Sequence, residues 1–268
     1  MIKKKILYRI YYIIFIPLLI SINVVALDNN DKTTNSLYIA TYYSPTISVI
    51  KNFKIGEHDN NTKNVFAHKI DVLVNSSSKD NFTINDPKFK YKNNLLSAFH
   101  GAIGYSMAGP RVELEIGYER FAAASQQTNY NIYALSREST MQDKKYVTVT
   151  IDNISTVSLI INACYDFINT STSPYICTGI GGNFVRITQD SEVPKFSYKM
   201  KIGTTFKLTP EISMVIGGFY HKIFGNKYKY LPVDYPVTLD SAPQYSNACA
   251  EFDFSYFGGE VGIRFAFL

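Results

Sequence analysis

Residues 111–121 read RVELEIGYERF. Val112, Leu114, Ile116 and Tyr118 fall on one side of a period-two pattern, and Arg111, Glu113, Glu115, Gly117 and Glu119 on the other. Alternation sustained over this length marks a β-strand with two unlike faces. The pattern recurs in KFSYKMKIGTTFKL (195–208), where Phe196, Tyr198, Met200, Ile202 and Phe206 oppose Lys195, Ser197, Lys199, Lys201, Gly203, Thr205 and Lys207. In VSLIINACYDF (157–167), Val157, Leu159, Ile161, Ala163, Tyr165 and Phe167 oppose Ser158, Ile160, Asn162, Cys164 and Asp166. FGGEVGIRFAFL (257–268) sets Phe257, Val261, Ile263, Phe265 and Phe267 against Gly258, Glu260, Gly262, Arg264 and Ala266.

The same signal followed through the chain gives eight strands, at 37–47, 95–107, 111–121, 154–167, 175–185, 195–208, 211–223 and 251–267. Most are 11 to 14 residues long, against about 5–6 for a usual globular strand and about 9–11 for a tilted membrane-spanning one. The connections hold 47, 3, 32, 7, 9, 2 and 27 residues in order. Long ones alternate with short ones, as expected of a barrel with short periplasmic turns, longer external loops and both termini inside. Ala108-Gly109-Pro110 and Thr209-Pro210 carry turn chemistry.

A soluble barrel turns its apolar face inward. An eight-stranded interior is only wide enough to be filled by side chains, and the Phe- and Tyr-rich faces would overfill it. The reading is therefore an all-β, eight-stranded antiparallel transmembrane (outer-membrane) β-barrel with long external loops, its apolar rows facing lipid. A soluble periplasmic binding barrel is the competing class, and it would stay in solution without detergent. The inward charges expected are Arg111, Lys195, Lys199, Lys201, Lys207 and Arg264 with Glu113, Glu115, Glu119, Asp166, Glu211 and Glu260. Buried charges need partners, so this balanced set reads as a structural lumen network more readily than as an ion filter, which would show an excess of one sign.

The first 26 residues carry Lys3, Lys4, Lys5 and Arg9, a mostly apolar run from Ile6 to Ile20, and Val24 and Ala26 ahead of a polar stretch. That is the order of a secretory signal peptide, with residues 27–268 as the barrel domain. Loss of those four cations brings the formal +5 down to +1, so the mature chain has no basic face for nucleic acid. Only three Cys are present, too few for a disulfide framework. Cys164 and Cys177 flank the 168–174 connection and face each other if the two strands pair about its centre, which makes a cross-strand disulfide the expectation.

Residues 48–94, 122–153 and 224–250 read as solvated or self-packed surface loops. VFAHKIDVLV (65–74) is a candidate hairpin above the membrane. If such segments added strands to the wall, the barrel would widen and a passive porin for small hydrophilic solutes becomes the alternative function. His58, His68, His100 and His221 show no metal-ligand spacing. The Gly179, Gly181 and Gly182 cluster lacks a phosphate-loop ending and reads as strand glycine at a close-packed interior. No GxSxG elbow is present. No catalytic, cofactor or metal residue is assigned, and no enzyme is expected.

GAIGYSMAGPRVELEIGYERF (101–121), NACYDF (162–167), SPYICTGIG (173–181), GEVGIRFAF (259–267) and SLYIATYYSP (36–45) together resemble the major surface antigen family of the ehrlichia–anaplasma group of intracellular bacteria. The resemblance covers the strands of most of the mature chain and not its loops. It implies an outer-membrane barrel exposed on the bacterial surface, seen by host antibodies and engaged in host interaction or immune evasion. Some family members are associated with porin activity. The partners this implies are outer-membrane lipid, the barrel-assembly machinery, host surface molecules and antibodies.

Overall fold

In the computed structural model the described residues are 35–59, 61–69, 79–83, 91–123, 131–139, 145–151, 153–168, 172–188, 191–233, 244 and 246–267. The expected signal peptide, residues 1–26, lies outside them, as do residues 70–74 of the candidate hairpin.

The strands in chain order are β1 (Ser36–Tyr43), β2 (Thr46–Glu57), β3 (Asn64–His68), β4 (Phe82–Thr83), β5 (Tyr91–Ser106), β6 (Pro110–Ala123), β7 (Ile132–Ser136), β8 (Tyr146–Thr150), β9 (Asn153–Asp166), β10 (Thr172–Thr188), β11 (Ser191–Lys207), β12 (Ile212–Ile223), β13 (Lys227–Leu231) and β14 (Ala248–Phe267). Antiparallel pairing runs β1-β5-β6-β9-β10-β11-β12-β14, and β14 returns to β1 (Leu37↔Phe267 through Tyr43↔Val261). The wall is thus a closed ring of eight strands, with no open edge along its lipid-facing height.

Two wall strands run further than the period-two reading allowed. β2 continues β1 along the same edge of β14, from Gly258↔Thr46 to Ala248↔Glu57. The first ten residues of the expected 48–94 loop are therefore strand. The register slips between Glu251 and Asp253 beside Asn52, whose φ is +57°. A one-residue bulge swaps which residues face inward, and the alternation that Thr46 and Ser48 begin is resumed out of phase by Ile55 and Glu57. β13 continues β12 along β14 in the same way, after a break at Gly225 with φ +86°. The last strand accordingly begins at Ala248 and not at residue 251.

At the end where β1 starts and β14 finishes the connections are tight. Ala108 (φ +54°) and Gly109 (φ +132°) make the β5–β6 turn, closed by Met107 N–H donating to Pro110 O at 2.8 Å. At β11–β12, Ile212 N–H donates to Thr209 Oγ1 at 3.0 Å.

Among the described residues, no part of the long connections adds a strand to the circumference of the ring. β3 and β4 from the first and β7 and β8 from the second form a separate four-stranded sheet, β4-β3-β7-β8. Part of what read as surface loop is therefore a packed sheet. Its strands are five residues or shorter, too brief for alternation to distinguish them from polar connection.

Candidate functional site

Within the membrane-spanning part of the wall the burial pattern is inside out. Ile103, Ile116, Ile161, Ile180, Ile202 and Ile263 are exposed, while Arg111, Glu113, Glu115, Lys199, Lys201 and Glu260 are buried. Exposed aromatics gather at two heights. Phe99, Tyr118, Phe184, Phe196, Tyr220 and Phe257, with half-buried Tyr43 beside them, sit toward the long connections, and Tyr105, Tyr165, Phe167, Phe265 and Phe267 toward the tight turns. On β9 the apolar row from Val157 to Tyr165 spans nine residues, which matches the 25 Å apolar band and flanking aromatic girdles of an outer-membrane strand.

The lumen has two layers. In the layer nearer the turns, Arg111 Nε stands 3.0 Å from Asp166 Oδ2, and its Nη1 donates to Glu113 Oε2 at 2.8 Å and to Tyr38 Oη at 2.9 Å. Lys201 Nζ reaches Glu115 at 3.0 Å, Glu260 at 3.2 Å and Glu113 at 3.4 Å. Lys199 pairs with Glu115, and Asn162 Nδ2 bridges Glu113 (3.2 Å) and Glu115 (3.1 Å). Arg264 lies over the Tyr38 ring, 4.7 Å from its centroid, with Nη1 3.6 Å from Asp166. A Cβ on Gly179 would fall 2.1 Å from Asn162 Oδ1, so glycine there leaves room for the bridge. Cys164 and Cys177 are joined by a disulfide across β9 and β10, with Arg111 Nη2 3.6 Å from Cys177 Sγ.

The second layer is apolar and lies toward the long connections. Phe121, Val185, Phe219, Ile223, Phe252, Phe254 and Tyr256 from the wall strands form one core with Tyr133, Leu135, Val147 and Val149 from the four-stranded sheet. That sheet thus caps the mouth. A buried fork of Arg137 on Glu57 joins the cap to β2, with Nε–Oε1 at 3.0 Å, Nε–Oε2 at 3.1 Å and Nη2–Oε1 at 2.8 Å.

Nine of the twelve charges expected in the lumen are there, and three are not. Lys207 and Glu211 are exposed at the β11–β12 turn, where Glu211 Oε2 accepts from Thr209 Oγ1 at 3.1 Å. Lys195 sits at the opposite rim, its Nζ donating to Lys227 O at 2.7 Å over the Tyr228 ring. All three lie on the inward side of the alternation but beyond the ends of the lumen. Sequence reasoning also missed the inward phenols Tyr38, Tyr42 and Tyr175 and the two lumen histidines. The period-two signal that places Ile39 outward would have placed Tyr38 and Tyr42 inward.

His100 links Ser44 and Glu119, with Nδ1 3.1 Å from Ser44 Oγ and Nε2 2.7 Å from Glu119 Oε1. That order of groups is the one used to activate a serine nucleophile. Ser44 is 0 % exposed, and Lys199 Nζ approaches the same Nδ1 at 3.3 Å, so the serine is shielded from solvent and shares its base with a cation. The chain of contacts braces β1, β5 and β6. Among the described residues no group of three or more His, Cys, Asp or Glu could hold a metal ion.

Residues 29–267 match the model of a family described as "Surface antigen". The chain is 34 % identical over 240 residues to Major surface antigen 4 of Anaplasma marginale, covering 87 % of this chain and 84 % of that protein. Among solved structures it is similar to neisserial surface protein A, with a TM-score of 0.45, 12 % identity and coverage of 87 % of this chain and 99 % of that one. It is also similar to the outer-membrane protease OmpT of Escherichia coli, with a TM-score of 0.39, 9 % identity and coverage of 90 % and 99 %. With its lipid-facing wall set by strand pairing and its sequence matched from residue 29 to residue 267, the chain belongs to the surface antigen family of the anaplasma group and stands in the outer membrane as a surface-exposed β-barrel.

Proposed function

We propose that this protein is a non-catalytic display scaffold that presents its capped external end to the host, for host interaction or immune evasion. The observation that carries the reading is the double closure of the lumen, an ionic layer and an apolar layer in series. A barrel so filled offers no passage to a solute and no approach to Ser44, which leaves the external cap and loops as the surface available to partners. The relative's name as a major surface antigen supports the same use. The partners proposed are outer-membrane lipid, the barrel-assembly machinery and host surface molecules and antibodies. The first 26 residues are proposed to act as the export signal and to be removed.

Protease added to intact cells tests the orientation. Cleavage is expected between residues 58 and 90 or between 232 and 247, and none at the turns near residues 108 and 209. Cleavage confined to those turns would reverse the topology. Refolded protein in a planar bilayer is expected to show no reproducible conductance steps, and regular open steps would replace the display reading with a porin.

A further inference from the structure

Cys164 and Cys177 stand opposite each other on β9 and β10, on the lumen side of the wall. The two residues are 7 % and 2 % exposed and pack with Tyr38, Tyr42, Tyr175 and Val215. Arg111 lies against the pair, its Nη2 3.6 Å from Cys177 Sγ, and is itself tied to Asp166, Glu113 and Tyr38. A group approaching either sulfur has to part this cluster first.

A disulfide forms by exchange. A cysteine thiolate attacks the disulfide of an oxidant, and a mixed disulfide joins the two molecules until the second cysteine displaces the oxidant. In the closed ring neither sulfur has room to carry a protein-sized adduct. Closure comes with the pairing of β14 to β1, and β14 is the last strand of the chain.

We propose that the bridge is made before the ring closes, by a periplasmic dithiol oxidase acting on the unfolded chain. One cysteine thiolate opens the oxidase disulfide and frees one oxidase thiol. The other cysteine then attacks the mixed disulfide, the Cys164–Cys177 bond forms, and the second oxidase sulfur leaves as a thiol. Two electrons and the two cysteine protons end on the oxidase. The proposal rests on the barrel standing in the outer membrane, which it reaches through the periplasm.

The order of the cysteines selects the native pair. Cys177 follows Cys164 by 13 residues, and Cys249 comes 72 residues after Cys177. The chain emerges amino end first, so the first two meet before the third arrives. Even with all three present, loop closure favours the short loop about tenfold over the next shortest. Cys249 is left as the free thiol.

The test uses residues 27–268 in reduced form, one sample just diluted from urea without lipid and one folded into phosphatidylcholine vesicles without oxidant. Each receives a purified, oxidised periplasmic dithiol oxidase. Mass tags on free thiols after boiling should fall from three to one within minutes in the unfolded sample. In the folded sample the fall should be about a hundredfold slower, because a buried group reacts only through opening. Equal rates in the two samples would overturn the proposal, as would equally fast oxidation of both by oxidised glutathione. Peptide mapping of the unfolded sample should give Cys164–Cys177 in about tenfold excess over pairs that include Cys249; a majority of the latter overturns the selection by chain order. If the reduced chain does not fold, the reverse exchange decides. The oxidised, folded barrel should keep its bridge against reduced thioredoxin and lose it once boiled, and prompt loss without boiling overturns the proposal. Heat-modifiable gel mobility reports folding, and an oxidised chain that never folds in lipid defeats the membrane reading itself.

Discussion

Lys201 Nζ lies within 3.4 Å of carboxylate oxygens from three glutamates on two strands. Removing one partner from a buried ionic set leaves the others uncompensated, at a cost of about 3–5 kcal/mol. Lys201→Met should lower stability by that order in a urea titration of the vesicle-inserted barrel followed by gel mobility. Lys207→Met, at an exposed turn, should stay within about 0.5 kcal/mol of wild type. Both lysines sit on the same face of KFSYKMKIGTTFKL, and the sequence reading treated them alike. Alternation tells which side of a strand a residue faces but carries no information on its height along the barrel, so Lys195, Lys207 and Glu211 could not be told from Lys199 and Lys201. The cysteines were legible because their register depends only on the centre of a short turn. Mass-tagging of free thiols in the denatured, non-reduced protein should add one label, at Cys249, and three after reduction.

Along single elements the chemistry changes hands. On β14 the outward residues run Glu251, Asp253, then Phe257, Val261 and Ile263, while the inward ones run Phe252, Phe254, Tyr256, then Glu260 and Arg264. β6 makes the same exchange, from outward Tyr118 to Arg120 and from inward Glu119 to Phe121, and β12 from Tyr220 to Lys222 and from His221 to Ile223. The backbone parity is constant through each exchange; only the solvent outside the wall has changed, from hydrocarbon to water. Below the exchange, an outward cation near the bilayer midplane costs about 2–4 kcal/mol. Ile161→Arg should therefore destabilise the inserted barrel by that amount, whereas Ser155→Arg, on the same face of β9 beside Arg120, should cost little, as the same titration can check. The eight membrane strands were readable because lipid enforces alternation. β2 and β13 were not, because the bulge beside Asn52, the break at Gly225 and the register slip between Tyr228 and Leu231 put their patterns out of phase and water tolerates polar residues there.

At the scale of the whole molecule the two lumen layers act in series. Arg137→Leu strips the fork from Glu57, leaves its buried carboxylate without a counter-charge, held only by the Thr62 hydroxyl at 3.3 Å among the hydrogen bonds described, and should loosen the cap by about 3–5 kcal/mol. Limited proteolysis should then cut the β7–β8 region faster than in wild type. Bilayer conductance should stay closed in the same variant, since the ionic layer around Lys201 does not depend on the cap. Steps that open on loss of Arg137 alone would show that the cap is the sole barrier. The composition of the cap has a further outcome. Its central pairing sets Asn64–Ala67 against Tyr133–Ser136, two segments far apart in the chain that only the fold brings side by side. A serum raised against a short synthetic copy of either segment would face a free peptide whose shape the folded protein does not present, while a serum raised against the folded barrel would lose its target on boiling.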